Sequence, residues 1–209
     1  MSLAELRKRY PWPADKPEPE IIHPEIKGWF AGANKDVLRH LIENATGPRI
    51  ILELGSFRGL SSKFLAELLQ PGDTLICIDH WLGSEEHHRR DDWREVLSTL
   101  HQVFLKNLWG HRDQVIPMRT TTHDGLRELK KLGIKPDVIY VDASHDEYSV
   151  YQDVTDCMSF FPEAEICGDD WTRHGVRMGV TRAAEGWELL NVRGCSCWQL
   201  CHNEKRYLK

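Results

Sequence analysis

The segment Arg49-Ile-Ile-Leu-Glu-Leu-Gly-Ser-Phe-Arg-Gly59 decides the fold of this chain. Its apolar run is interrupted only by Glu53 and ends at Gly55, which is typical of a strand buried on both faces. Residues 60–69 then show the apolar spacing of a helix, and residues 74–78 form a second apolar run. The sequence therefore predicts a strand, a glycine-containing loop, a helix and a second strand, as in a parallel α/β sheet.

The loop of this unit discriminates between nucleoside ligands. A dinucleotide site uses Gly-x-Gly-x-x-Gly, because the middle glycine lets the backbone approach the pyrophosphate. Phe57 occupies that middle position here, so a pyrophosphate would meet a side chain. S-adenosylmethionine (SAM) contains ribose and adenine but no phosphate, and it suits the loop better. The alternative interpretation is an ordinary α/β turn without a ligand.

At these residues the chain resembles the class I SAM-dependent methyltransferases. Asp79 closes the second run roughly 20 residues beyond Gly55, where a carboxylate can reach a ribose hydroxyl. Threonines 120–122 offer hydroxyls to adenine, although capping of a helix would also explain them. The predicted cofactor-binding residues are Glu53, Gly55, Ser56, Gly59, Ser61, Asp79, His80, Trp81 and Thr121.

The composition limits the class of protein. The 209 residues predict a single main domain, and the 27 basic and 32 acidic residues give a net charge of -5. This charge does not favour a nucleic-acid groove or binding to an anionic membrane. The amino terminus lacks the apolar core of a signal peptide. We therefore expect a cytoplasmic protein with a small-molecule substrate, no nucleic-acid or membrane partner, and six reduced cysteines.

Two connecting segments are unusual. Prolines between Pro11 and Pro24 predict an extended arm within residues 1–32, ahead of a single domain at residues 33–209. The arm would either lie across the domain, the mouth of the site or a partner, or be disordered, and one alternative is a homo-oligomer joined through it. Residues 79–93 are polar and long for a connection, which predicts a lid. Its histidines, His87 and His88, form either half of a metal site or, as we favour, part of a solvated lid.

The remaining chain alternates between strands and helices. Further strands are predicted at residues 115–118, 137–142, 164–168, 187–192 and 197–201, with the last two paired around Arg193-Gly194. Helices are predicted at residues 1–10, 34–43, 95–108, 126–132, 147–159 and 179–185. This order predicts an α/β fold with a doubly wound, mostly parallel seven-stranded sheet and a final antiparallel hairpin. The Rossmann-like methyltransferases that the chain resembles have the same number of strands.

Three carboxylates follow the predicted fourth and fifth strands: Asp142, Asp169 and Asp170. Carboxyl ends of parallel strands share the edge of the sheet where ligands bind. Close carboxylates repel one another, and a divalent cation removes that cost; oxygen ligands favour Mg²⁺, Mn²⁺ or Ca²⁺ over zinc. His145 lies three residues after Asp142 and could take a proton near neutral pH. Alternatively, the aspartates cap helices and His145 is a solvated loop residue.

This set resembles the metal-dependent O-methyltransferases of antibiotic biosynthesis, which include the macrocin and mycinamicin sugar methyltransferases and the cephalosporin-hydroxylase-like proteins. The resemblance covers residues 49–184 and implies that Asp142, Asp169 and Asp170 hold Mg²⁺. It also implies that Asp142 and His145 are catalytic, with His145 as the base. Asp169 stands where glutamate is usual, which shortens one ligand.

The resemblance implies metal-assisted O-methylation of a small hydroxylated molecule. An NAD-linked oxidoreductase and a non-catalytic SAM-binding or assembly module are the alternatives. Near the end of the chain, Cys195, Cys197, Cys201 and His202 have spacings compatible with zinc, but we favour packed apolar cysteines.

Overall fold

The computed structural model describes residues 2–30, 32–43, 47–89, 91–191 and 195–201. The strands are β1 (Ile50–Leu54), β2 (Thr74–Asp79), β3 (Val115–Arg119), β4 (Val138–Val141), β5 (Glu165–Gly168), β6 (Glu188–Asn191) and β7 (Trp198–Cys201). The helices are α1 (Leu3–Arg9), α2 (Gly32–Glu43), α3 (Leu60–Glu67), α4 (Glu85–His88), α5 (Asp91–Leu108), α6 (Thr122–Leu132), α7 (Glu147–Phe160) and α8 (His174–Ala183). A 3₁₀ turn at Trp109–His111 follows α5.

The strands form one sheet in the order β3-β2-β1-β4-β5-β7-β6. The first five are parallel, whereas β7 runs antiparallel to both β5 and β6. The predicted doubly wound sheet with a closing hairpin is therefore confirmed; the hairpin turn at Arg193-Gly194 lies outside the described residues. The strand order reverses between β1 and β4, and this is where open α/β sheets form a ligand crevice.

The two faces of the sheet support separate parts of the core. On one face, Leu52 of β1 belongs to a cluster with residues of α6, α7 and α8, including Leu126 and Val154. On the other face, Ile51 belongs to a cluster with residues of α2, α3 and α5, including Phe104. Successive strand residues point to opposite faces, so covering both faces requires the continuous apolar runs seen in the sequence. None of the described helices combines the length and apolar character needed to cross a membrane.

Three helices begin markedly earlier than the sequence predicts, and one of them is α6, which begins at Thr122 rather than at residue 126. Part of the predicted lid folds as α4, and α5 begins at Asp91 rather than at residue 95. Helix α8 begins at His174 rather than at residue 179. Its glycines lower helix propensity, but a Cβ on Gly179 would lie 2.7 Å from the carbonyl oxygen of Glu147. Close packing against α7 therefore favours the helix where the local pattern does not.

The proline-rich arm lies along its own domain. Leu6 of α1 is fully buried in the main core, and the indole N–H of Trp12 donates to the carbonyl oxygen of Val115 at 2.9 Å. Glu18 forms an ion pair with Lys106 of α5 at 2.5 Å. Among the sequence alternatives for the arm, the structure shows contact with the domain, and oligomerisation through the arm stays a prediction.

A buried acid joins α6 to α7. Asp153 is 4% exposed and accepts a hydrogen bond from the Thr122 hydroxyl at 2.5 Å. Burial, opposed by this hydrogen bond, raises the pKa of Asp153 to about 7. The folded-state pKa of Asp153 lies above its ordinary value of 3.8. The protonated acid therefore contributes its full stability below pH 3.8. This contribution is lost as the pH rises through about 7.

Asp153→Asn should flatten this part of the pH dependence, because the amide keeps the acceptor for Thr122 and has no charge to bury. Urea unfolding at about pH 5 and about pH 8 should show a smaller loss of free energy for the variant than for the wild type. Asp36→Asn on the exposed face of α2 is the control and should follow the wild type. Identical profiles for all three proteins would contradict the assignment.

Candidate active site

The glycine loop follows β1 directly. Gly55 has a φ of +84°, and a Cβ at this position would lie 2.2 Å from the carbonyl oxygen of Asp142. Gly59 has a φ of +83°, and its Cβ would lie 2.4 Å from the Leu108 side chain. Both glycines are thus needed for backbone conformation and close packing. Their predicted contact with a cofactor is a separate property, which stays a prediction.

Glu53 ties the loop to the first turn of α3. The side chain is fully buried and accepts hydrogen bonds from the hydroxyls of Ser56 at 2.5 Å, Ser61 at 2.6 Å and Ser62. Burial raises the pKa of Glu53, while the serine donors oppose the rise. Glu53 and Ser61 therefore have a structural role that the sequence did not predict.

Asp79 fixes the backbone of the loop. One carboxylate oxygen accepts from the backbone N–H groups of Ser56 at 3.0 Å and Phe57 at 2.9 Å. The other accepts from the N–H of Trp81 at 2.6 Å. The carboxylate is at the predicted position, the carboxyl end of β2 beside the loop, and the oxygen that binds Trp81 has a second lone pair for a ribose hydroxyl.

Three other predicted cofactor contacts have identified partners within the protein. Trp81 is 1% exposed, donates its indole N–H to the Phe57 carbonyl oxygen at 2.8 Å, and supports the loop from the core. His80 is half-exposed and accepts from the N–H of Leu82 at 2.9 Å. Thr121 caps α6 by accepting from the N–H of Asp124 at 3.2 Å, which is the capping alternative considered above.

The second half of the site lies after β4 and β5. Nε2 of His145 is 2.7 Å from Oδ2 of Asp170. Asp142, His145 and Asp170 each offer one ligand atom, and these atoms lie within 4.8 Å of one another. Over the described part of the chain, this is the one group of three or more such side chains that could hold a metal ion. The two carboxylates are ligands that suit Mg²⁺ or Mn²⁺.

The structure differs from the prediction at Asp169. His145, and not Asp169, belongs to the metal-capable group with Asp142 and Asp170. The Oδ1 atom of Asp169 accepts from the Ser196 hydroxyl and from the N–H of Asp170 at 2.6 Å. Its Oδ2 atom lies 3.4 Å from the Tyr140 hydroxyl. No local sequence pattern indicates Ser196 or Tyr140, since neither lies near Asp169 along the chain. Direct binding of a metal by Asp169 stays a prediction.

The carboxylates of Asp142, Asp169 and Asp170 form an acidic edge, and their negative charges are not equally compensated by neighbouring cations. Burial, followed by the charges of Asp169 and Asp170, raises the pKa of Asp142 well above its ordinary value. The hydrogen bond with Asp170 raises the pKa of His145. Burial alone would raise the pKa of Asp170, but His145 and Arg173 hold it below the ordinary value. His145 and Asp170 therefore form an ion pair, and Asp142 retains a proton well above its ordinary pKa.

Helix α4 contributes Glu86, which the sequence did not indicate as a site residue. Oε2 of Glu86 lies 3.3 Å from Nδ1 of His145 and 3.7 Å from Arg173. The next residue, His87, stacks on Phe57 at 5.6 Å and on Trp93 at 4.6 Å between ring centroids. His87 is thus part of an aromatic stack over the loop, and no described metal-capable group contains the His87–His88 pair.

The carboxyl-terminal cysteines are packed thiols. Cys195, Cys197 and Cys201 are all buried and unpaired in disulfides, which confirms the preferred interpretation. The metal-capable group found among the described residues does not include them. His202 lies outside the described residues.

Gly55→Ala should disrupt the junction between the loop and the acidic edge, because its Cβ would collide with backbone. Gly133→Ala is the matched control, since Gly133 also has a positive φ of +68° but nothing within 4 Å of its Cβ. The control should lose about 1 kcal/mol of unfolding free energy, and Gly55→Ala about 3 kcal/mol or more. Equal losses in chemical unfolding would show that the approach is dispensable.

Solved structures share this fold. An O-methyltransferase from Bacillus cereus in complex with S-adenosylhomocysteine (SAH) has a TM-score of 0.61 at 17% identity, covering 95% of this chain and 87% of that chain. The O-methyltransferase TomG from Streptomyces achromogenes, involved in tomaymycin synthesis and in complex with SAM, has a TM-score of 0.60 at 19% identity, with coverages of 88% and 89%. CalS11, a TDP-rhamnose 3'-O-methyltransferase of calicheamicin biosynthesis, has a TM-score of 0.55 at 14% identity, with coverages of 97% and 92%. At these identities the likeness establishes the fold.

The sequence comparison establishes the family. No curated protein matches the chain by sequence. A family profile described as a methyltransferase domain matches residues 52–170, which is more than half of the chain. The match begins in β1 and ends at Asp170, so it includes the glycine loop and the acidic edge. The chain therefore belongs to the methyltransferase-domain family.

Proposed function

We propose that the protein is a SAM-dependent O-methyltransferase that acts on a small hydroxylated molecule with the help of a divalent cation. The observation that carries this proposal is that two groups of residues lie at the same edge of the sheet. One group is the glycine loop with Asp79, and the other is Asp142, His145 and Asp170. The solved structures described above, two with SAM or SAH bound, are O-methyltransferases and support the same assignment.

The loop would bind the adenosyl part of SAM. Asp79 would accept from a ribose hydroxyl through the oxygen that binds Trp81, while its other oxygen continues to hold the loop amides. Glu53 and the serines it binds would keep the loop in place. Phe57 at the middle loop position disfavours NAD, because the pyrophosphate of NAD needs close contact with backbone.

Asp142 and Asp170 would hold the cation. The donor chemistry fits, and the raised pKa of Asp142 shows that its negative charge lacks compensation within the protein. A cation bound there would supply a positive charge that lowers the pKa of a coordinated acceptor hydroxyl.

His145 would take the proton from the acceptor hydroxyl. Bound SAM would supply its methyl group to the hydroxyl oxygen, with a carbon–oxygen bond formed as the carbon–sulfur bond is broken and SAH as the product. His145 must be neutral to act as a base, so Asp170, which raises its pKa, has to be neutralised in the working enzyme. Glu86 contacts Nδ1 and would orient the imidazole, and Nε2 would take the proton once Asp170 binds the cation instead of His145. The protein otherwise supplies proximity and orientation.

Calorimetry with SAH and with NAD tests the cofactor. SAH should bind more tightly than NAD, and Asp79→Ala should weaken SAH binding by about 1.5–3 kcal/mol, the usual value of a hydrogen bond to a charged group. Asp91→Ala, on the exposed start of α5, is the control and should bind as the wild type does. Tighter binding of NAD would overturn the cofactor assignment, and an unchanged SAH affinity in Asp79→Ala would remove Asp79 from the site.

Chelation and substitution separate the cation from the base. With a panel of hydroxylated acceptors, SAH production should stop when a chelator is added or in Asp142→Asn, while SAH binding persists. His145→Ala should retain Mn²⁺ binding yet turn over roughly 10²–10⁴-fold more slowly, and this loss should shrink as the pH approaches the pKa of the acceptor.

The control and the contrary outcomes concern single residues. Asp169→Asn should give the same loss as Asp142→Asn only if Asp169 also binds the cation directly. A chelator-insensitive rate would rule out the cation. Full turnover in His145→Ala would rule out His145 as the base.

A further inference from the structure

The glycine loop is held by the amino-terminal arm as well as by Asp79. Arg58 lies within the loop and is 3% exposed. Its guanidinium donates hydrogen bonds to three carbonyl oxygens of the arm, those of Ile22 at 2.6 Å, His23 at 2.9 Å and Ile26. One loop side chain thus fixes a segment of the chain more than thirty residues away. The backbone carbonyl of Arg58 accepts a hydrogen bond from the side-chain amide of Asn107 in α5 at 2.9 Å.

The arm continues over the loop beyond these carbonyls. A Cβ on Gly28 would lie 3.4 Å from Leu60 and 3.8 Å from the Phe57 ring, so the arm backbone passes close to the loop. The Trp29 ring lies 6.2 Å from Phe57 and stacks on Trp93 at 5.7 Å, with 20° between the ring planes. Trp29 nevertheless keeps 68% of its surface exposed. The arm therefore forms an outer layer over the loop and joins the aromatic stack of the α4–α5 segment.

The conformation of the loop needs this support. Phe57 has a φ of +46°, a left-handed conformation that costs a side-chain-bearing residue about 1–3 kcal/mol. Such a conformation persists only when its surroundings fix it. Asp79 binds the N–H of Phe57 and Trp81 binds its carbonyl oxygen, both from the core side. The following residue, Arg58, supplies the corresponding restraint on the side of the arm.

We propose that Arg58 is a positioning residue: it locks the arm onto the glycine loop, so that ordering of the arm and binding of the adenosyl cofactor reinforce each other. The identity of the ligand in this proposal rests on the proposed function above. The loop amides of Ser56 and Phe57 must be fixed before a ligand binds. An arm that holds the loop lowers the entropic cost of ordering the loop when the ligand binds. By reciprocity, a bound ligand that holds the loop also keeps the arm in place.

Three variants test the coupling by calorimetry with SAH. Arg58→Met keeps the length of the side chain but has no donors, and the dissociation constant should rise by roughly 10-fold, within the usual range of coupling between sites. Arg58→Lys keeps a charged donor and should recover part of the affinity. Lys106→Met is the matched control, because it breaks the ion pair of the arm with Glu18 away from the loop. Its dissociation constant should stay within about 2-fold of the wild type.

Two further measurements distinguish positioning from a general loss of stability. Hydrogen exchange of the loop amides at residues 55–59 should accelerate in Arg58→Met and not in Lys106→Met. Tryptic cleavage after Lys27 in the arm should be slower when SAH is bound to the wild-type protein, a test that does not depend on folding of any variant.

The proposal is overturned if Arg58→Met releases the arm, seen as faster cleavage after Lys27, while loop exchange and SAH affinity stay unchanged. It is also overturned if SAH leaves cleavage of the wild type unaltered despite binding. A wild-type protein that does not bind SAH refutes the proposed function instead, and loop exchange in Arg58→Met then still decides whether Arg58 fixes the loop.

Discussion

The close approach of the Gly55 backbone to the carbonyl group of Asp142 is the contact on which the site depends. Parallel pairing of β1 with β4 brings the carboxyl ends of both strands to the same edge of the sheet. Since a Cβ would come within 2.2 Å of that carbonyl oxygen, only glycine allows the loop and the acidic edge to border one crevice. Asp79 and Arg58 then both hold the loop, and the order of β4 and β5 sets the distance to Asp170.

The parts of this arrangement that follow from local pattern and topology were predictable from sequence. Continuous apolar runs gave the parallel strands because both faces of the sheet are covered. Once the strand order is known, residues directly after β4 and β5 must meet, so Asp142 and Asp170 were placed together correctly. His145 follows Asp142 on the same turn, and its contact with Asp170 is within reach of the same argument. The position of Asp79 likewise follows from the length of the β–α–β unit.

The parts that depend on distant packing were not predictable. The orientation of Asp169 is set by Ser196, 27 residues further along the chain, and no local feature indicates that hydrogen bond. Trp81 follows β2 like a ligand contact, yet its ring is buried against α5, which the sequence places only approximately. Glu86 contacts His145 because α4 folds back over the edge, and a polar pattern of four residues does not specify this. The composition of the arm predicts an extended segment, but it does not indicate which residues the arm contacts.

The electrostatics of the edge bear on the ligand independently of the shape of the loop. Glu53 is buried and Asp142 is partly buried, and burial raises the pKa of each, so additional negative charge at this edge is unfavourable. The pyrophosphate of a dinucleotide would add such charge, whereas the sulfonium of SAM and a divalent cation both bring positive charge. Within the site, Asp170 already has His145 and Arg173 as cationic neighbours, so the carboxylate that still needs a positive partner is Asp142. Because Asp142 also touches Gly55, a positive ligand would be stabilised where the loop and the acidic edge meet. Loop shape, backbone contact and charge thus favour the same class of ligand for separate physical reasons.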